Sequence, residues 1–451
     1  MNILLTGGSG FVGYYVKQAL SQFHTCVPLA DERGTIDLRD VNRIKSFLSS
    51  NIQSNIPNDV YNVKSAIASK NILPDINSDD ITSNGIIITS LFNTSLHTTY
   101  TSDNNLSENK FNITSLRNTL PHAAIFDAVI HLAAQSFVPE SFKNPLETFD
   151  VNFTGTYNLF SALKEYGFHG KILYISSGDI YGLVSEDKLP ITEDYPLKPR
   201  NPYAVSKVAA EALCYQWSIA EDIEILIARP FNHIGPNQSE RFAVSSFAKQ
   251  IAEIELGLRK PVLNTGNIDI TRDFLDVRDV ADAYKLLLEK GMNCKEQESE
   301  INIKTESNQK ASTITNTIKD TNTLEKNTNT IKDANALTKK DAKEINTLTK
   351  IKTLTKKDAK EIKTVENSRS YVYNVCSETE TSIRSIINIM FEITGVDAKI
   401  EIDKNKLRPN EQKRVYGSNE KIKNITGWEP KIPLKQSIAD ILNYWKEKLK
   451  N

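Results

Sequence analysis

NILLTGGSGFVG, running from Asn2 to Gly13, sets a short apolar run directly ahead of a glycine-rich turn, and YYVKQALSQF follows with helical spacing. Two glycine patterns overlap in it. Gly8, Gly10 and Gly13 fit G-x-G-x-x-G, while Gly7, Gly10 and Gly13 fit G-x-x-G-x-x-G. Glycines permit a tight strand-to-helix turn and let a pyrophosphate approach the helix N-terminus, where free N–H groups and the helix dipole favour negative charge. Strand, turn and helix in this order predict a dinucleotide site at the start of an α/β fold.

Working outward, CVPLA reads as a second strand ending at Asp31, with Arg33 close behind. A carboxylate there binds ribose hydroxyls, whereas an arginine prefers a 2′-phosphate, so both NAD and NADP stay open. Asp37 in TIDLRD is a further candidate for the adenine end. FDAVIHLAAQ reads as a buried strand whose Ala133 and Ala134 are small enough to let a cofactor pass close by, and ILYISS is the next such strand. These runs alternate with helical stretches such as NPLETFDVNFTGTYNLFSALKEYG, which implies a parallel, doubly wound sheet of the Rossmann kind. Residues 1–229 are expected to form this dinucleotide-binding domain. Residues 230–451 are expected to form a smaller α/β substrate-binding portion, with some segments returning to the first domain.

Length leaves room for more than these parts. Between about 50 and 121 the chain is rich in Asn, Ser, Thr and Ile without a sustained period. Between about 293 and 370 it is built of short repeats: TNTIKD begins at Thr315 and Thr328, and LTKKDAKEI at Leu337 and Leu354. Both read as low-complexity insertions, too poor in apolar residues to form a core. Removing them leaves roughly 300 residues, a common size for a nucleotide-binding domain with a small partner. A formal net charge of -1 argues against nucleic-acid binding through bulk electrostatics. Cys26, Cys214, Cys294 and Cys376 form no C-x-x-C pair, which argues against a zinc site or a disulfide framework and fits a reducing cytoplasm. With no secretory leader pattern and no run near the roughly 18 apolar residues of a membrane span, a soluble cytoplasmic protein without membrane partners is expected.

NPYAVSKVAAEALCYQW begins at a turn and continues as a helix, so Tyr203 and Lys207 share one face. A phenol near its reference pKa of about 10 is a sluggish acid or base, and an ammonium beside it is expected to favour its ionised form. ISSGDIYG, from Ile175 to Gly182, brings a strand to its end at Ser177. The order TGGSGFVG, HLAAQ, SSGDIYG, Y-x-x-x-K resembles the extended short-chain dehydrogenases/reductases, in particular the sugar-nucleotide epimerases, dehydratases and reductases. The resemblance implies Ser177, Tyr203 and Lys207 as the catalytic triad, with Ser177 bonding the substrate oxygen and Lys207 also holding the nicotinamide ribose. It implies Gly7, Gly10, Phe11, Val12, Gly13, Asp31, Asp37, Leu38, Leu132, Ala133, Ala134, Pro230 and His233 around an NADP or NAD cofactor. A homodimer through the helices carrying Asn152 and Tyr203 is implied as well.

Farther along, RPFNHIGPNQSERF, GNIDITRDFLDVRDVADAY and KLRPNEQKRVYGSNEK resemble the GDP-4-dehydro-6-deoxy-D-mannose reductases, whose product is GDP-D-rhamnose. By that likeness Gln135, Ser136, Asn232, Arg272 and Arg408 would hold a GDP-sugar, and no metal is called for. Dehydratases on this scaffold carry a glutamate just after the triad Ser or Thr, often preceded by an aspartate. This chain has Gly178 and Asp179, so elimination of water is disfavoured and reduction of a 4-keto sugar is expected. The alternatives are a nucleotide-sugar 4-epimerase or GDP-mannose 4,6-dehydratase, and a non-catalytic dinucleotide sensor, which has no need of an intact Ser177, Tyr203 and Lys207.

Replacing residues 297–366 with a short Gly/Ser linker is expected to leave the thermal melting midpoint nearly unchanged, because loop-closure entropy varies only slowly with length. A melt of the shortened chain against the full one checks this, and failure to fold would make the repeats structural.

Overall fold

A computed structural model describes residues 1–55, 81–82, 85–86, 126–221, 223–291, 371–404 and 412–450. The two insertions fall outside the described residues except for 50–55, 81–82 and 85–86 of the first, and Arg408 falls outside them too.

The chain opens with β1 (Asn2–Thr6), α1 (Phe11–Ser21), β2 (Thr25–Pro28) and α2 (Val41–Asn55), then β3 (Ala128–His131). Short helices α3 (Val138–Lys143) and α4 (Pro145–Phe149) lead through a π-helical turn over Asp150–Thr154 into α5 (Gly155–Glu165). Next come β4 (Lys171–Ile175), α6 (Pro202–Ala220) and β5 (Glu224–Pro230). The second half holds β6 (Asn232–Ile234), α7 (Ala243–Glu255), β7 (Val262–Thr265), β8 (Thr271–Asp276), α8 (Val277–Lys290), β9 (Val372–Val375), β10 (Glu380–Ser382) and α9 (Ile383–Thr394). It closes with β11 (Lys399–Ile402), β12 (Arg414–Val415), α10 (Glu420–Thr426) and α11 (Leu434–Lys450).

Six strands form one parallel sheet in the order β9-β5-β4-β3-β1-β2. Leu4 and Val129 face α2, α5 and α6 with Phe160 and Trp217, while Ile3, Leu5 and Ile130 face α1 and α8 with Val16 and Tyr284. Burial on both faces explains why these strands read as unbroken apolar runs rather than alternating ones. Chain order departs from β1 in both directions, to β2 on one side and β3 on the other. In open α/β sheets such a reversal leaves a crevice at the carboxyl ends of the strands, where ligands bind.

Beyond the sheet, β6 pairs parallel with β8, which pairs antiparallel with β10 and parallel with β12. Helices α7, α9 and α11 pack there around Ile251, Ile386, Ile387, Met390, Ile438 and Ile441. Although β9 lies about 140 residues after β5 in the chain, a separation that costs closure entropy only logarithmically, it completes the main sheet beside it.

Beneath the sheet's carboxyl edge sits a buried guanidinium. Arg229 on β5, wholly buried, forks onto Glu211 of α6 through Nε to Oε1 at 2.9 Å and Nη2 to Oε2 at 2.7 Å. Its Nη1 donates to the Tyr181 hydroxyl at 2.9 Å and to the Glu193 carbonyl at 3.0 Å. Tyr181 in turn donates to Asn374 Oδ1 of β9 at 2.7 Å, and the Asn374 N–H donates to Glu193 Oε1 at 2.8 Å.

Arg229→Leu strands a carboxylate at Glu211 that is only 5% exposed, and breaking a buried pair from one side typically costs ~3–5 kcal/mol. Urea unfolding is expected to show a loss of that order, largely restored by adding Glu211→Met. Equal stability of the single variant and the parent would remove the pair from the fold's foundations.

Candidate active site

The glycine turn is built from close approaches. Gly7 holds φ +69°, and a Cβ there would lie 2.8 Å from the Ala133 nitrogen; a Cβ on Gly13 would lie 2.3 Å from the Gly7 carbonyl oxygen. Gly10 caps α1 without a side-chain acceptor, and the first turn holds no acidic residue, so the helix's N–H groups and positive end face an incoming anion. Beside the turn a cleft of about 320 Å³ is lined by Thr35, Ile36, Asp37, Leu38, Ala133, Ala134, Gln135 and Val151. Gly155 lets Leu38 approach, since a Cβ there would lie 2.7 Å from the Leu38 Cβ. A cradle that side chains would fill, opening on a cleft at the sheet's reversal, fits a dinucleotide.

Phe11 stacks at 6.2 Å on His233, whose Nδ1 donates to the Phe231 carbonyl at 3.1 Å and whose pKa burial lowers. Val12 and Leu132 pack against the apolar core behind the turn, and Pro230 is buried at the end of β5. Asp31 lies in a small hairpin formed by Ala30–Asp31 and Gly34–Thr35. Arg43 grips its carboxylate with Nε at 3.0 Å and Nη2 at 2.6 Å, and Arg33 adds its N–H at 2.9 Å and Nη2 at 3.3 Å. These bonds, Arg43's foremost, hold the Asp31 carboxyl far below the usual range. Arg33 is visible in the sequence as a rival to Asp31; Arg43 comes from α2, 12 positions on.

At the other end of the crevice, Ser177 follows β4 and accepts the Asp179 N–H at 3.2 Å, opening a 3-10 turn over Gly178–Tyr181. Asn201 caps α6 by accepting the Ala204 N–H at 2.7 Å, and Pro202 sits in the first turn. That places Tyr203 against Ser177, with which it shares a side-chain hydrogen bond. Lys207, one turn on, donates to the Ile175 carbonyl at 2.7 Å and lies 4.9 Å from the centroid of the Tyr174 ring. Burial pushes Tyr203 up to about 12, opposed by the Ser177 bond, and pushes Lys207 down to about 8. The sequence suggested instead that Lys207 would lower the phenol's pKa. In the structure its ammonium is engaged by Ile175 and Tyr174, and desolvation governs Tyr203. A phenol still protonated at neutral pH is suited to giving a proton away.

Asp179 lies close enough to the Tyr203 phenol for its charge to help raise that pKa. It is exposed, and its Oδ2 accepts from Asn201 Nδ2 at 2.6 Å. Gly178 leaves little space for a side chain, because a Cβ there would lie 3.0–3.2 Å from the Phe231 ring, itself packed with Tyr181, Val184, Ile191 and Cys376. Gly178 thus offers no base, and the Asp179 carboxylate is engaged by Asn201.

Among the other expected residues, Gln135 is held through its backbone. Its N–H donates to Asn152 Oδ1 at 2.8 Å, and its carbonyl accepts from Asn152 Nδ2 at 3.0 Å. Ser136 and Asn232 are exposed. Asn232 pairs in register with Phe274 on β8, two residues past Arg272, so the two candidates share one small sheet. Arg272 Nη1 donates to the carbonyls of Thr271 at 2.7 Å and Gln412 at 2.9 Å. Asn152 sits in the π turn, where the Gly155 N–H reaches back to the Asp150 carbonyl, and it also donates to Ser206 Oγ at 2.9 Å. Its signal in sequence is weak: one asparagine amid apolar helical positions.

A family model described as GDP-mannose 4,6 dehydratase matches residues 105–364. GDP-6-deoxy-D-mannose reductase of Pseudomonas aeruginosa is 40% identical over 324 residues, 72% of this chain and 82% of that one. GDP-mannose 4,6-dehydratase of Vibrio cholerae is 34% identical over 165 residues, 36% of this chain and 43% of that one. Among solved structures, that of RMD from Pseudomonas aeruginosa complexed with NADPH superposes with a TM-score of 0.62 at 31% identity, over 99% of each chain. UDP-glucose 4-epimerase of Thermus thermophilus with NAD shares the fold, at 19% identity and a TM-score of 0.57 over 99% of each chain. The chain belongs to the GDP-mannose 4,6-dehydratase family of extended short-chain dehydrogenases/reductases.

Proposed function

We propose that this protein is an NAD(P)H-dependent ketoreductase that takes GDP-4-dehydro-6-deoxy-D-mannose to GDP-D-rhamnose. One observation carries the choice of reduction over dehydration: Ser177, Tyr203 and Lys207 converge, while Asp179 is tied to Asn201 and Gly178 is pressed against Phe231. The 40% identity to a GDP-6-deoxy-D-mannose reductase, over 82% of that protein, supports the same reading.

When bound, the reduced nicotinamide supplies a hydride to C4 of the sugar. Ser177 donates a hydrogen bond to the ketone oxygen and orients it. Tyr203, protonated at neutral pH, gives its proton to that oxygen as it gains charge, so ketone, hydride and proton balance to an alcohol. Lys207 then faces a phenolate, whose negative charge its ammonium stabilises. Asn232 and Arg272, with Arg408, hold the nucleotide portion, for which arginine's planar fork suits a diphosphate.

NADPH is the favoured reductant. Asp31, which alone would select a free ribose, is neutralised by Arg33 and Arg43, and the two guanidinium groups offer a 2′-phosphate its counter-charges. The protein acts in the cytoplasm as a homodimer, its copies meeting through Phe142 of α3, Leu146 of α4, Tyr157 of α5 and Ile219 of α6, large apolar side chains 46–84% exposed.

Tyr203→Phe is expected to leave NADPH binding intact and lower turnover roughly 100- to 10,000-fold. The parent should oxidise one NADPH per keto sugar consumed, followed by nicotinamide absorbance with mass spectrometry of the sugar. Formation of the keto sugar from GDP-mannose without net cofactor oxidation would overturn the reductase reading.

Arg33→Ala with Arg43→Ala is expected to weaken NADPH binding about 10- to 150-fold, the span set by losing charge-assisted bonds, with a much smaller change for NADH. Fluorescence titration with each nucleotide decides it, and equal losses for both would detach the arginines from the 2′-position.

A further inference from the structure

His131 ends β3, is 1% exposed, and has no part in the chemistry above. Its two ring nitrogens each meet one threonine: Nδ1 lies 2.7 Å from Thr6 Oγ1, and Nε2 lies 2.9 Å from Thr156 Oγ1. Who donates to whom follows from the ends of the chain. The Thr156 hydroxyl donates to the Asn152 carbonyl at 2.7 Å, so its oxygen can only accept from His131, and Nε2 must carry a hydrogen. At the far end, Thr6 Oγ1 accepts the Ala133 N–H at 3.2 Å, leaving its own hydrogen for the bare Nδ1 of a neutral ring. Burial, with Lys207's charge second, lowers the ring's pKa to about 3, in keeping with that assignment.

The bonds thus run in one direction through fully buried groups. They start at the Ala133 N–H and pass through Thr6, His131 and Thr156 to the Asn152 carbonyl. From Asn152 the side chain reaches both ways. Its amide donates to the Gln135 carbonyl and to Ser206 Oγ, and Ser206 donates to the Tyr203 carbonyl at 2.7 Å. One terminus is therefore the wall of the cofactor turn, since Thr6 precedes Gly7 and Ala133 touches it. The other is the backbone of the proton donor's own residue.

We propose that His131 is a positioning residue, a neutral Nε2–H imidazole that sets the cofactor cradle in register with Tyr203 through Thr6, Thr156, Asn152 and Ser206. Thr6 and His131 are also cross-strand partners in the β1–β3 ladder, so what the ring adds is the link from that ladder to Thr156 of α5, with which it has no backbone pairing. The proposal rests on Tyr203 as the proton donor.

Single hydroxyl deletions that preserve shape test it. Thr6→Val is expected to weaken NADPH binding, and Thr156→Val to lower kcat, each by roughly 5- to 100-fold for a lost buried hydrogen bond. Thr6→Ser and Thr156→Ser should each restore the parent value. The double valine variant should cost clearly less than the product of the singles, because either break already uncouples the two ends. In protein labelled with ¹⁵N-histidine, one of the six rings should stay neutral with its proton on Nε2 from about pH 5 to about pH 9, and its resonance should shift in both valine variants. Multiplicative costs, no rescue by serine, or a His131 ring that titrates in that range or carries its proton on Nδ1 would each overturn the proposal. NADPH affinity and the ring's signature need no sugar, so they are read independently of the GDP-sugar assignment.

Discussion

Placing a guanidinium where water cannot reach it is costly unless its donors find partners, and Arg229 directs four of its five N–H groups to a carboxylate, a hydroxyl and a carbonyl. The consequence is geometric. Glu211 lies one turn beyond Lys207 on α6, Tyr181 lies four residues beyond Ser177, and Asn374 comes from β9. Three elements that must agree in position for chemistry to occur are thus referenced to one fixed cation in β5. An apolar core tolerates small slides of a helix along a sheet, whereas a forked ion pair admits one register.

Burial does for this site what charge alone would not. The phenol is kept protonated, the ammonium's pKa is lowered to about 8, and His131 is held neutral. Proton donors waiting in their acidic form suit a reaction that ends by protonating an alkoxide. The related dehydratases need a further carboxyl aimed at the sugar. Here the corresponding stretch has been put to architectural use: Asp179 braces Asn201, and Asn201 caps the helix that presents Tyr203.

What the sequence made legible was local. The glycine turn, the buried strands, Ser177 at a strand end and the Tyr203–Lys207 spacing each involve neighbours within about one helical turn, where pattern determines position. The unread parts depend on residues distant in the chain. Arg43 reaches Asp31 from α2, Asn201 catches an aspartate 22 positions earlier, and Phe231 occupies the space beside Gly178. The effect of Lys207 on Tyr203 was misjudged for the same reason. Spacing brings two side chains to one helix face, but the carbonyl and ring that engage the lysine belong to β4.

The position of β9 also matters before the protein is finished. Synthesis delivers β5 and the whole of α8 well ahead of residues 372–375, and until those emerge β5 is an open sheet edge and Arg229, Tyr181 and Glu193 lack Asn374. At a translation rate of about 5–20 residues per second, the 79 residues between Gly291 and Tyr371 prolong that interval by roughly 4–16 s. An unpaired, strongly apolar edge is a template for pairing with other chains. The repeat tract thus lengthens the interval between the synthesis of β5 and that of its sheet neighbour β9.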